Sequence, residues 1–98
     1  MPASIRQHLA NRISAWNLLR RGNQQFKNGR FDRAAEFYAV AVELRPNASA
    51  ARYNLGLCLY KLGKRKEARA QWTIAVAELG TRNPYLTEQL HILLRQFS

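Results

Sequence analysis

The chain has few acidic residues: 6 Asp and Glu stand against 16 Lys and Arg, for a formal net charge of +10. None of the acids precedes Asp32, and both halves of the chain carry an excess of positive charge. A charge of this size favours acidic partners and speeds their arrival, but it says nothing about the fold. Solubility alone is the competing explanation. The composition therefore leaves an acidic protein, a nucleic acid and an anionic membrane surface as candidate partners.

Cysteine, histidine and long apolar runs are also scarce. The single cysteine, Cys58, cannot form an internal disulfide, which favours a reducing compartment such as the cytoplasm or an organelle stroma or matrix. Two distant histidines, His8 and His91, complete no metal-ligand set with it. No apolar run approaches the roughly 18 residues that a membrane-spanning helix needs. We therefore expect no metal and no cofactor.

Catalytic residues are equally hard to find. A nucleophilic pair of Cys58 and His91 is the one conceivable arrangement, and a cysteine on a buried helix face is usually inert. The glycines at positions 22 and 29 lie in and after a helical stretch, without the strand that a phosphate-binding loop requires. We therefore predict that the protein is not an enzyme.

The chain instead repeats itself with a period of 34 residues. Shifting the sequence by this offset superimposes small residues on small, aromatic on aromatic and turn glycines on turn glycines. The pairs include Gly22 with Gly56, Gly29 with Gly63, Ala34 with Ala68, Tyr38 with Trp72, and Ala41 with Ala75. A fixed period of this length is typical of stacked-repeat architectures.

Helical periodicity and turn residues predict five helices, over residues 4–28, 31–44, 48–62, 65–79 and 85–96. Ser4 with Gln7 predicts a capping box for the first helix, and Asn47 and Asn83 are the predicted caps of the third and fifth. No segment alternates with a period of two, so no strand is expected. We predict an all-α fold of stacked antiparallel helical hairpins.

One domain over residues 1–98 accommodates this pattern. It comprises an N-terminal helix extension (1–14), a first repeat (15–48), a second repeat (49–82) and a terminal helix (83–98). The small residues at the shared positions let the two helices of each hairpin approach closely. Tyr38 and Trp72 are expected to fill the space toward the next unit. Two repeats are few, so the flanking helices or a homodimer would complete the core.

These features resemble the tetratricopeptide repeat (TPR), a helix–turn–helix unit of the same period. The residues that fit its pattern are Leu18, Gly22, Ala34, Tyr38, Ala41 and Pro46 in the first repeat, and Leu55, Gly56, Leu59, Ala68, Trp72 and Ala75 in the second. Four residues depart from it, because Arg21, Gln25, Arg52 and Arg65 stand where the family has apolar or aromatic side chains.

The resemblance implies a non-enzymatic adaptor or assembly factor that binds a peptide or partner helix in a concave groove. The first helices of the two repeats would line this groove with Trp16, Leu19, Arg20, Asn23, Phe26, Lys27, Tyr53, Asn54, Leu57, Tyr60 and Lys61. The set is basic and aromatic and contains no acid, so it suits an acidic or mixed acidic–apolar ligand. The competing interpretation is that the chain itself or a dimer mate covers these side chains.

Some family members clamp a carboxylate with two Asn and three basic residues. Asn23 and Asn54 match the amides, whereas Leu19, Pro84 and Glu88 occupy the basic positions, so we do not expect that clamp here.

Two other functions stay open. RNA binding is suggested by two basic clusters and by aromatic residues in the groove that can stack on bases. The clusters are Lys64, Arg65, Lys66 and Arg69 at the second hairpin turn and Arg20, Arg21, Lys27 and Arg30 at the first, and the aromatic residues are Trp16, Tyr53 and Tyr60. Membrane-surface binding by the basic N-terminal helix is the less favoured of the two.

Overall fold

The computed structural model describes residues 3–45 and 47–97, and these form five α-helices and no strand. The helices are α1 (Ala3–Lys27), α2 (Phe31–Leu44), α3 (Ser49–Lys61), α4 (Arg65–Leu79) and α5 (Pro84–Gln96). Each helix packs against the next one along the chain, so two hairpins stack and α5 packs on α4. The predicted all-α fold of stacked helical hairpins is confirmed. Pro46, a predicted pattern residue, lies outside the described residues.

The helix ends follow turn chemistry with two exceptions. Asn83 caps α5 as predicted, because its side-chain oxygen accepts a hydrogen bond of 3.0 Å from the Leu86 amide. The cap expected at Asn47 is wrong: Ala48 directly precedes α3 and no side chain bonds to that helix end. The turns inside the hairpins place Gly29 and Gly63 at φ +76° and +82°, a left-handed conformation that favours glycine.

The start of α1 also differs from the prediction. The helix begins at Ala3, so Ser4 lies inside it and forms no capping box with Gln7. The Gln7 side-chain amide instead donates a 2.8 Å hydrogen bond to Asn11, one turn further along. This pair supports an exposed stretch of helix.

In each hairpin an aromatic ring packs on a glycine. A β-carbon at Gly22 would lie 2.6 Å from the Tyr38 ring, and one at Gly56 would overlap the indole of Trp72. Both aromatic side chains are buried, and the indole N–H donates a 3.1 Å hydrogen bond to the Tyr53 carbonyl. Each aromatic ring therefore fills space between the two helices of its own hairpin. The sequence did not predict this contact. The aromatic rings also contact the next unit as expected, since Tyr38 shares a core cluster with residues of α3.

The core also contains the small residues that the two repeats share. Ala34, Ala41, Ala68 and Ala75 are almost fully buried at the contacts between helices. Leu62 lies near the end of the predicted third helix, but it is 42% exposed because it follows the last turn of α3.

Candidate functional site

The first helix is much longer than its partner. α1 has 25 residues and α2 has 14, which at 1.5 Å per residue gives lengths of about 37 and 21 Å. The two helices meet at the turn around Gly29, so the N-terminal part of α1 extends beyond the end of α2. We call residues 3–13 the overhang. On it and just after it, large apolar side chains are exposed: Ile5 by 47%, Leu9 by 40%, Ile13 by 63% and Trp16 by 58%.

The first-repeat half of the predicted groove is open. Trp16, Arg20, Asn23 and Lys27 are exposed, whereas the remaining two, Leu19 and Phe26, are half-buried against the core. The Arg20 guanidinium lies 4.9 Å from the centre of the Trp16 ring, within the range of a cation–π contact. This part of the site thus presents an aromatic surface next to positive charge.

The second-repeat half is more enclosed. Tyr53, Leu57 and Tyr60 are half-buried and pack against the core formed by α4 and α5. The ring of Phe97 lies 4.2 Å from that of Tyr60. Lys61 is exposed, and its Nζ atom lies 5.8 Å from the Phe31 ring.

A hydrogen-bond network connects the two halves. The Tyr38 hydroxyl donates to the side-chain oxygen of Asn23 at 2.6 Å, and the Asn54 amide donates to the same oxygen at 3.3 Å. Three helices are thereby held together, and the Asn23 oxygen is occupied by the protein. Burial raises the pKa of Tyr38 to about 12, with Cys58 adding to the effect and the Asn54 hydrogen bond opposing it.

Two clefts lie along α1. The larger, of about 650 Å³, is lined by Asn17, Arg20, Arg21, Asn23, Gln24 and Lys27, which are three cations and three amides. The other, of about 570 Å³, is lined by Leu9, Arg12, Ile13, Trp16 and Arg45. Neither lining contains an acid.

Three cleft residues, Asn17, Arg21 and Gln24, were not in the predicted groove. The alignment of the two repeats could have identified these residues, because the 34-residue offset places them opposite Ala51, Leu55 and Cys58. Those residues are buried in the second repeat, so polar residues at the equivalent positions mark an exposed face.

The basic cluster at the second hairpin turn is partly engaged by the protein itself. Arg69 donates hydrogen bonds of 2.7 and 3.4 Å to the carbonyls of Leu94 and Phe97. The Arg65 guanidinium lies 5.5 Å from the Tyr60 ring. Lys64 and Lys66 are exposed.

Cys58 and His91 are not arranged as a nucleophile and base. Cys58 is fully buried, and burial raises the pKa of its thiol to about 11, so it is protonated at neutral pH. His91 lies on the exposed side of α5. Across residues 3–45 and 47–97, no group of three or more potential ligands is placed to hold a metal ion. No helix in that part of the chain combines the length and apolar character that crossing a membrane takes.

Helical hairpins that stack in order and repeat at one sequence offset define an α-helical repeat protein. More specifically, the chain belongs to the tetratricopeptide repeat family, whose model matches residues 19–83, two thirds of its length. This family is a non-catalytic repeat fold that generally mediates protein–protein interactions. No curated protein has a significant match to the chain.

Proposed function

We propose that the protein is a non-enzymatic interaction module, an adaptor or assembly factor, that binds an acidic or mixed acidic–apolar peptide or partner helix. The supporting observation is the larger cleft on α1, where Arg20, Arg21 and Lys27 converge with three amides and no acid. Carboxylates bind best to such charge-assisted donors. The exposed Trp16 beside Arg20 adds the apolar contact that a mixed ligand needs.

The burial and contacts of the aromatic rings favour an acidic protein over RNA as the ligand. Sequence-tolerant binding of single strands depends on aromatic faces that are free to stack on bases. Tyr60 has its ring against Phe97 and the guanidinium of Arg65, and Tyr53 is half-buried. Arg69, in the basic turn, bonds to backbone carbonyls of the protein itself. Among Trp16, Tyr53 and Tyr60 only Trp16 is exposed, so the groove offers charge for a ligand but a single open aromatic face for bases.

The proposal is tested by affinity capture at moderate salt with two charge-reversed variants. Lys27→Glu with Lys61→Glu changes one groove lysine in each repeat. Lys64→Glu with Lys66→Glu changes two exposed lysines at the turn and shifts the net charge equally. We expect the proteins captured by the wild type to be lost with the groove variant and kept with the turn variant. The captured set is identified by mass spectrometry.

Other outcomes contradict the proposal. Equal loss with both variants would show that binding follows net charge rather than the groove. Loss on nuclease treatment, together with a steep decrease of affinity as salt rises, would indicate that RNA is the ligand.

A further inference from the structure

One side of α1 forms a continuous strip that runs from the overhang into the groove. Successive strip positions are separated by steps of three or four residues or by seven, so they share one face of the helix. The contact strip consists of Ile5, Leu9, Ile13, Trp16, Arg20 and Lys27, all of them exposed. Its length is about 33 Å.

The strip has two halves of different chemistry. Its N-terminal half is apolar, and there Leu9, Ile13 and Trp16 line the 570 Å³ cleft with Arg12 and Arg45 beside them. Its C-terminal half is cationic, because Arg20 and Lys27 line the 650 Å³ cleft. The halves join where the Arg20 guanidinium lies 4.9 Å from the Trp16 ring.

We infer that the contact strip binds a single amphipathic helix of a partner protein. That helix lies along α1 with apolar residues on the overhang and acidic residues against Arg20 and Lys27. A helix is the ligand whose side chains recur at three- and four-residue steps, so it matches the spacing of the strip over its whole length. The inference rests on the proposed function, since the cationic half of the strip belongs to the predicted groove.

Charge complementarity selects this occupant over a second copy of the chain. No acid occurs before Asp32, so pairing two overhangs would bring Arg6 and Arg12 of each copy close to like charges. An acidic partner helix neutralises the cations beside the apolar half as well as those in the cationic half. An anionic membrane would meet the same apolar residues, and the experiment distinguishes it.

Three synthetic peptides serve as probes, and the first and third have about 25 residues, long enough to span α1 as helices. The first carries leucines along one face of one half and glutamates along the same face of the other half. The second is the acidic half alone. The third has the composition of the first in an order that places leucines and glutamates on different faces. Binding is measured by anisotropy of a labelled peptide, and helix formation by circular dichroism.

The two tryptophans make the site of binding visible. Trp16 is 58% exposed and lies on the strip, whereas Trp72 is fully buried. Docking of the first peptide should shift the emission of Trp16 to shorter wavelength, and Trp16→Phe should remove that shift.

A matched pair of variants tests the overhang. We expect Ile13→Ser to weaken the first peptide about tenfold, the effect of removing one well-buried apolar contact. It should leave the acidic half-peptide unchanged. The control is Ile74→Ser on α4, which is 39% exposed and off the strip. Circular dichroism confirms the fold, and Ile13→Ala is a milder replacement at the same position.

The contrary results separate this inference from the proposed function. If the half-peptide or the reordered peptide binds as tightly as the first, the single-helix inference fails while the groove stands. If no acidic peptide binds, both fail. The inference is also overturned if Ile13→Ser spares peptide binding but abolishes co-sedimentation with phosphatidylserine–phosphatidylcholine vesicles.

Discussion

The first helices of the two repeats present the same face to different surroundings. In α3 this face is Ala51, Leu55 and Cys58, which pack against residues of α2. In α1 the equivalent residues are Asn17, Arg21 and Gln24, which are exposed and line the larger cleft. The backbone is helical in both places, so the presence of a preceding hairpin decides which side chains are suitable.

The terminal helix supports this explanation. Its residues Leu86, Leu90 and Leu93 pack against α4 as those of α3 pack against α2. This face is apolar in α3 and α5, each of which follows a hairpin, and polar in α1. Arg21, a departure from the family pattern, therefore marks an exposed face of α1.

At a second set of equivalent positions the first repeat is apolar and the second repeat is polar. The 34-residue offset aligns Leu18, Phe37 and Leu44 of the first repeat with Arg52, Gln71 and Glu78 of the second. In the second repeat the Arg52 side chain bonds Gln71 at 2.9 Å and Glu78 at 3.2 Å. The first repeat has apolar side chains at all three positions, and the second repeat has a hydrogen-bonded polar group there. Each repeat therefore keeps these positions either wholly apolar or wholly polar and paired.

The largest effect on stability is expected when an arginine, as found on the exposed face of α1, replaces a leucine on the buried face of α3. Leu55→Arg places an unpaired charge against α2 and should cost about 3–5 kcal/mol of unfolding free energy. The reciprocal change, Arg21→Leu, should stay within about 0.5 kcal/mol. Urea denaturation followed by circular dichroism measures both. Similar costs for the two variants would refute the assigned difference between the faces.

The glycine contacts give the next largest effect. Gly56→Ala should cost about 1–3 kcal/mol, because the added methyl group overlaps the buried indole of Trp72. Gly22→Ala should cost less, since Tyr38 is approached at 2.6 Å. Thermal denaturation of both variants provides the comparison. Stabilisation by about 1 kcal/mol, the ordinary gain from alanine in a helix, would contradict these tight contacts.

The polar group in the second repeat should respond more mildly. Glu78→Ala removes one partner of the mostly buried Arg52 and should cost about 1–2 kcal/mol. Replacing the set with the first-repeat residues, Arg52→Leu with Gln71→Phe and Glu78→Leu, should restore stability to within about 1 kcal/mol of the wild type. A triple variant less stable than Glu78→Ala would show that the two repeats are not interchangeable here.

The smallest effect at neutral pH is expected at Tyr38. Tyr38→Phe loses one hydrogen bond to Asn23 and should cost about 1 kcal/mol. Because the folded pKa of about 12 exceeds the ordinary value of 10.0, the tyrosine stabilises the fold fully below pH 10.0 and progressively less as pH rises through 12. The advantage of the wild type over the variant should therefore shrink above pH 10.0. Because a rise in pKa from 10.0 to about 12 is worth more than about 1 kcal/mol, the variant should become the more stable protein as pH approaches 12. A constant difference across that range in denaturation experiments would contradict the raised pKa.

The fold was predictable because it depends on periodic signals. Helix spacing and turn glycines such as Gly29 located all five helices to within a residue or two. The caps were less predictable: Asn47 has the right chemistry at a helix start, but its side chain does not bond there. Local preference identifies a candidate cap, and the chain path decides whether it is used.

The candidate site was harder to predict because exposure depends on neighbouring elements. The sequence predicts the first helix, but it could not show that Ile5, Leu9 and Ile13 lie on a part of it that extends beyond α2 and are exposed there. It also did not predict the ring contact between Phe97 and Tyr60, since Phe97 follows the last turn of α5 and Tyr60 lies on α3. The groove residues remain predictions.

A charge-swap binding measurement tests the central claim most directly. The first synthetic peptide is compared with a version in which lysines replace its glutamates, against the wild type and Arg20→Glu with Lys27→Glu. We predict that the wild type binds the acidic peptide and the double variant prefers the basic one. A double variant that still binds the acidic peptide as tightly as the wild type would contradict the assignment of an acidic partner to α1.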